Sequence, residues 1–242
     1  MTLQSFHYGA DTYEYSICHI PRRAEKIAIH VFPNGAIQVD APEKSALPEI
    51  KKAVLKRSRW IARNVQVARE RLAHILPREY NSGESHFYLG RRHVLKVHAS
   101  SDDLPSVKLL RGKLEVVCKT SEPGDVRKSL MHWYRARAAQ IFHARLMEKA
   151  ARISWVTEAP KLKLLTMKKQ WGSCSSSGTI ILNPHLVKAH RECVDYVILH
   201  ELCHLKEHNH SPRFYRELDR HMPNWRSVKG RLDGMSETIL AI

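Results

Sequence analysis

The run Tyr196-Val-Ile-Leu-His-Glu-Leu-Cys-His-Leu-Lys-Glu-His-Asn-His210 constrains this chain more than any other stretch. Within it, His200-Glu201-x-x-His204 sets two imidazoles four residues apart, which on a helix project from one face about a turn from each other. Glu201 is offset around the same helix and can reach water beside a metal held by the pair. A catalytic zinc ion needs three protein ligands, an open position and a base beside the water. Val194, Val197, Ile198, Leu202 and Leu205 recur at helical spacing, so the motif is predicted on a helix with one buried side. The competing reading is a buried helix whose histidines only satisfy hydrogen bonds.

Two further histidines follow. His208 continues the 200, 204 spacing, but three consecutive turns of a straight helix leave the outer pair roughly 12 Å apart. Metal–nitrogen bonds of about 2 Å cannot close around one ion across that span. His210 lies at a corner, where Asn209 can take the left-handed conformation that ends a helix and Ser211-Pro212 begins another. His210 is therefore the expected third ligand, with Glu201 as the base and one zinc ion per chain. Cys203 points about 100° around the helix from His204 and is a poor fourth ligand. The closing helix is expected to bury Phe214, Leu218 and Met222 and to end at Pro223.

Upstream, Lys161–Lys168 reads as a strand with basic flanks, and Trp171-Gly-Ser-Cys174 with Thr179–Asn183 as a hairpin. Trp171 beside Gly172 is either a core aromatic at a tight bend or part of a backbone edge left open for an extended substrate. On the second reading Trp171, Gly172, Ser173 and Cys174 are the substrate-binding residues.

The rest of the chain alternates between strand and helix signals. Tyr13–Cys18, Lys26–Phe32 and Ala36–Asp40 alternate as strands, the last two around a Pro33-Asn34-Gly35 turn; His30 reads as packing or surface. A helix is predicted from Ser45 through Ile50, Val54, Ile61, Val65, Ala68, Leu72 and Ile75. Its other face carries Lys51, Lys52, Lys56, Arg57, Arg59, Arg63, Arg69 and Arg71. Hairpins follow around Gly90-Arg91-Arg92 and Arg111-Gly112-Lys113. Pro123-Gly124 marks the expected internal boundary, and a long helix capped by Asp125 runs to Ile153. His132 and His143 on it read as structural or exposed, and no repeat shows in the sequence. The fold class is α+β: a strand-rich region 1–124, then a metal-binding catalytic domain 125–242 built from helix, β-hairpin sheet, HExxH helix and closing helix.

Five cysteines without a CxxC pair argue against both a disulfide framework and a cysteine-rich zinc site. No basic leader with an apolar core opens the chain and no apolar run has bilayer length, so a cytoplasmic location and no membrane partner are expected. The net charge of +16 suits a polyanion, nucleotide or nucleic acid as partner, or is simply a solvated basic surface.

Trp171-Gly-Ser-Cys174, Gly178-x-Ile-x-Leu-Asn183, Asp195-Tyr-Val-x-x-His-Glu-Leu-Cys-His-Leu205 and Asn209-His-Ser-x-x-Phe214, in that order, resemble the YgjP-like family, which is related to SprT-like minimal zincin metallopeptidases. The resemblance is specific over residues 171–225 and looser before them. It implies zinc on His200, His204 and His210, Glu201 as base, and a sheet strand at Trp171. Tyr215 departs from it, since relatives often carry Trp there. A zinc-dependent peptidase acting on a peptide or protein is the leading expectation. The alternatives are a metal-dependent nucleoside triphosphate pyrophosphohydrolase, motivated by Lys161, Lys163, Lys168 and Lys169, and a basic nucleic-acid-associated protein with a structural metal.

Overall fold

A computed structural model describes residues 2–20, 27–32, 35–73, 78–167 and 170–240. The fold is α+β, and the chain divides into two compact units, Met1–Leu76 and Pro77–Ile242.

In the first unit, β1 (Thr2–Tyr8), β2 (Asp11–Ile20), β3 (Ala28–Val31) and β4 (Ile37–Pro42) form a sheet in the order β1-β2-β4-β3. The central pair is parallel and both outer pairs are antiparallel. Alternate residues such as Phe6, Tyr13, Tyr15, Ile17, Ile37 and Val39 turn inward. They meet Ile50 and Val54 of α1 (Leu47–Lys56) and Ile61 and Val65 of α2 (Ser58–Ala73). These two helices replace the single one expected from Ser45. The helix breaks at Arg57, whose φ is −112° and whose N–H bonds the Val54 carbonyl. The apolar spacing carries on across the break, so periodicity alone does not reveal it. The first cap is Ala46 rather than Ser45. Pro33, Asn34, Ile75 and the side chains of Arg71 and Leu72 lie outside the described residues; Lys51, Lys52, Lys56, Arg57, Arg59, Arg63 and Arg69 are exposed.

The second unit opens with β5 (Ser85–Tyr88), β6 (Arg91–Ala99), β7 (Ser106–Leu110) and β8 (Lys113–Cys118), in the order β5-β6-β8-β7. Its hairpins close through Leu89-Gly90 and Arg111-Gly112, each a pair of positive-φ residues, one position earlier than expected for the first. Glu122, rather than Asp125, occupies the N-cap position of α3 (Pro123–Ala150) and makes no side-chain cap bond; Asp125 sits in the first turn and accepts a bond of 2.6 Å from Thr120. Every fourth residue of α3 from Val126 to Ala150 is buried, in one core with Leu95, Leu114 and Val116 of the preceding sheet. The boundary expected at 124/125 therefore falls inside this unit, and the chain divides after Leu76 instead.

A third sheet has the order β10-β11-β9, from β9 (Leu162–Leu164), β10 (Gly172–Cys174) and β11 (Ile180–Leu182). Lys168 and Lys169 are outside the described residues. A buried 3-10 turn, Pro184–Lys188, leads into α4 (Arg191–His204), α5 (Pro212–His221) and α6 (Trp225–Leu240), the last absent from the sequence reading. Among the described residues no helix is long and apolar enough to cross a membrane.

Candidate metal centre

α4 is buried nearly all round, with Val194, Val197, Ile198, Leu199, Leu202 and Cys203 in the core, so its register is fixed by packing. Asp195 locks it to α3: Arg145 Nε donates to Asp195 at 2.6 Å, its Nη2 donates to the second carboxylate oxygen, and Lys149 lies 3.4 Å away. On this helix His200 and His204 face one cleft. The helix ends at His204, with Leu205 as its C-cap, earlier than the stop expected at Asn209. His208 is thus not on the helix at all; it lines the cleft outside the histidine cluster.

The third imidazole comes from the corner. Ser211 caps α5 by accepting from Phe214 N–H, and this first turn drives Phe214 fully into the core. The rings of His200, His204 and His210 stand 4.6–4.9 Å from the Phe214 ring centre, arranged around it. Their ligating nitrogens all lie within 4.8 Å of one another, and Nε2 of His210 is 2.9 Å from Nε2 of His200. Nitrogens bonded tetrahedrally to one ion at about 2.1 Å would be separated by about 3.4 Å, which is the spacing seen to within side-chain adjustment. His204 Nδ1 donates to the Glu207 carbonyl at 3.1 Å, leaving Nε2 with its lone pair toward the cluster.

The electrostatics also fit a cation. Burial, then His204 and His210, push the His200 pKa down to about 3. Burial is likewise the main cause of the lowered values at His204 and His210. Neutral imidazoles are what a metal ion takes. Glu201 is 5% exposed, and burial alone raises its pKa to about 8. A carboxyl buried in the cleft that the three imidazoles line, with no cationic partner among the described residues, is the environment that a bound divalent ion would complete. Cys203 is buried elsewhere in the core, its thiol pushed up to about 12.

The cleft has a volume of about 440 Å³. One wall is β10, which pairs with β11 on one side and has no strand partner on the other among the described residues. Trp171, Gly172, Ser173 and Cys174 all border the cleft. Trp171 is half-buried against the core. Asn183, fully buried, holds the approach to this strand: its Nδ2 donates to Met167 and Gln170 carbonyls and its N–H to the Trp171 carbonyl. Gly172 passes so near α4 that a Cβ there would meet Glu201 Oε1 at 2.8 Å. Tyr196 also borders the cleft, one turn before His200; its ring stacks on Trp225 and meets His200 edge-on. Its i−4 spacing from His200 was the available signal.

The family model described as YgjP-like, metallopeptidase domain, matches residues 25–235. The chain belongs to the YgjP-like family. No curated protein matches the sequence. Among solved structures, the metallopeptidase zymogen of Pyrococcus abyssi abylysin is 23% identical, with a TM-score of 0.34 over 41% of this chain and 93% of its own. The zymogen of Methanocaldococcus jannaschii jannalysin is 25% identical, with a TM-score of 0.32 over 39% and 92%. What this YgjP-like chain does at its cleft rests on its own residues.

Proposed function

We propose that this chain is a zinc-dependent peptidase whose cleft takes an extended peptide against β10. The observation that carries it is the meeting of three imidazoles and a buried carboxyl at a strand edge that has no strand partner among the described residues. His200, His204 and His210 would hold the ion. When bound, zinc supplies Lewis acidity that polarises a carbonyl and acidifies water. Glu201 takes the proton of the attacking water and returns it to the leaving nitrogen. The Glu207 carbonyl keeps His204 in the tautomer that a ligand needs, and β10 offers backbone bonds that align the peptide.

Two competing readings fit the cleft less well. A phosphoanhydride needs cationic neighbours, and none of the described residues lining the cleft is Lys or Arg. A structural zinc site is closed by four protein ligands, whereas the cluster among the described residues has three. The deciding experiment is a matched assay of wild type and Glu201→Gln on unfolded proteins and on nucleoside triphosphates. We expect peptide cleavage, about one zinc per chain in both proteins, and a loss of about a hundredfold or more in the variant. Full turnover in Glu201→Gln would end this mechanism. Pyrophosphate release without proteolysis would replace the substrate.

A further inference from the structure

A histidine that holds a metal through one ring nitrogen is ordinarily oriented by a hydrogen bond from the other. Among the described residues His204 has that support, from the Glu207 carbonyl at 3.1 Å. The other two imidazoles lack it. His200 and His210 approach one another through Nε2, and His200 Nδ1 is buried with no partner. His210 is exposed, on the irregular segment between α4 and α5, and its ring makes no further hydrogen bond among the described residues. Something other than hydrogen bonding must orient these two rings.

A row of aromatic rings runs from one of them to the other. Tyr215 of α5 stacks on His210, with 6.2 Å between ring centres and 24° between planes. Trp225, the first residue of α6, lies 5.5 Å from Tyr215 at 12°. The same indole lies 6.1 Å from Tyr196 of α4 at 4°. Tyr196 in turn meets His200 edge-on at 5.9 Å. Near-parallel and edge-on pairs at these separations are the arrangements that aromatic quadrupoles favour. The row takes one ring from each of three helices and ends on the two imidazoles that lack a bond.

Its central ring is held independently of the histidines. Trp225 is buried, its Nε1 donates to Asp219 Oδ1 at 2.7 Å, and the Arg226 guanidinium lies 4.5 Å from its ring centre. Arg226 also donates to Asp219 at 2.6 Å, so carboxylate, guanidinium and indole fix one another. An indole locked in this way can pass a fixed plane to both tyrosines. No residue of α6 lines the cleft among the described residues, yet the row makes the start of that helix part of the metal centre.

We propose that Trp225, acting through Tyr215 and Tyr196, is a positioning residue of the metal centre. It sets the planes of the His210 and His200 rings, in place of the hydrogen bonds that those rings lack. The effect is greatest at His210, because that ligand sits on an irregular segment and no helix backbone fixes it. The inference rests on the reading of the three histidines as ligands of one ion, and does not depend on which bond is cut.

The test is zinc titration of the metal-free full chain against a chromophoric chelator, with cobalt(II) absorption as a second probe of ligand geometry. Zinc affinity is expected to fall about tenfold or more in Tyr215→Leu and in Trp225→Leu. Tyr215→Phe and Trp225→Phe keep a flat ring and should stay within about threefold of wild type. The cobalt bands should change in the leucine variants and keep their wild-type form in the phenylalanine ones. Leu130→Ala opens a cavity in the core face of α3, and should lower the thermal midpoint while leaving zinc affinity unchanged. Tyr215 is only half-buried, so Tyr215→Leu decides the matter even where Trp225→Leu fails to fold. Wild-type affinity in Tyr215→Leu, equal losses in the phenylalanine variants, or an equal loss in Leu130→Ala overturns the role of the row. A wild-type chain that takes up no zinc instead ends the reading of the metal centre itself.

Discussion

A methyl group at position 172 would press on Glu201 from 2.8 Å at Oε1 and 3.0 Å at Cγ, and on Leu182 at 3.0 Å. The carboxyl end is the part able to move, so Gly172→Ala should turn Glu201 away from its place beside the imidazoles while β10 and the core persist. The expected outcome is a fall of at least tenfold in peptide turnover with zinc content and thermal midpoint nearly unchanged; unchanged turnover would remove Gly172 from the argument. Phe214 gives the opposite pattern. It is fully buried and touches all three imidazoles, so Phe214→Ala should cost about 3–5 kcal/mol of stability in denaturant titration. It should also lower zinc affinity, because the three rings lose the surface that spaces them. At this scale much was legible. The spacing of His200, Glu201 and His204 and the Ser211-Pro212 corner pointed to residues that the structure brings together, because helical spacing and capping are local. The approach of Gly172 to Glu201 joins segments 29 residues apart and leaves no mark in either. Tyr196 did carry the right spacing, but an aromatic beside Val197 and Ile198 reads as core, which in large part it also is.

Elements were legible where a period was local and unbroken. The 126, 130, 134, 138, 142, 146, 150 line of α3 was readable as one helix because every turn presents the same face to the core. The 3-10 turn Pro184–Lys188 was not, because a buried turn with a proline, a histidine and a lysine carries no amphipathic period. That element predicts a pH dependence. His185 is 5% exposed and its pKa is lowered to about 3 by burial, then by Lys188 and Arg127. His86 is lowered to about 4, mainly by burial and then by Arg78. Both therefore stay neutral in the fold down to pH values at which the unfolded chain has already taken up protons, from about 6.5. The unfolded state binds more protons below that value, so stability must fall as pH drops through the window from 6.5 toward the folded pKa values. The slope is up to about 1.4 kcal/mol per pH unit for each histidine, and it flattens below about 3 to 4. Urea unfolding of wild type and His185→Leu at pH 7, 6, 5 and 4.5 measures this. His185 Nδ1 has no partner to lose, so the variant should show a distinctly shallower slope; parallel curves would refute the assignment.

For the whole molecule, the two four-stranded sheets share one plan that the sequence does not announce. In each, outer antiparallel hairpins flank a parallel central pair, the strand order is first, second, fourth, third, and helix follows. The pattern is carried by strand alternation and turn glycines rather than by matching residues, so it leaves no repeat in the sequence. Their roles differ. The first sheet packs on its own helices α1 and α2, whereas the second gives its apolar face to α3, the helix that also carries the brace on α4. The second sheet is therefore part of the scaffold of the metal centre. Tyr88, Leu95, Leu114, Val116 and Cys118 are each at most 4% exposed and belong to the core that contains Phe142, Val197 and Phe214. A fragment starting at Asp125 would lose all five. Each buried aliphatic or aromatic side chain contributes about 1.5–3 kcal/mol, so their joint removal is comparable with the whole stability of a domain, about 5–15 kcal/mol. The fragment 125–242 should accordingly be insoluble or unfolded by circular dichroism and should bind no zinc at one equivalent. The fragment 77–242 keeps that core intact and should fold with a cooperative thermal transition, one zinc per chain and peptide cleavage. A folded, zinc-binding 125–242 would return the boundary to Pro123-Gly124 and make the second sheet dispensable to the site.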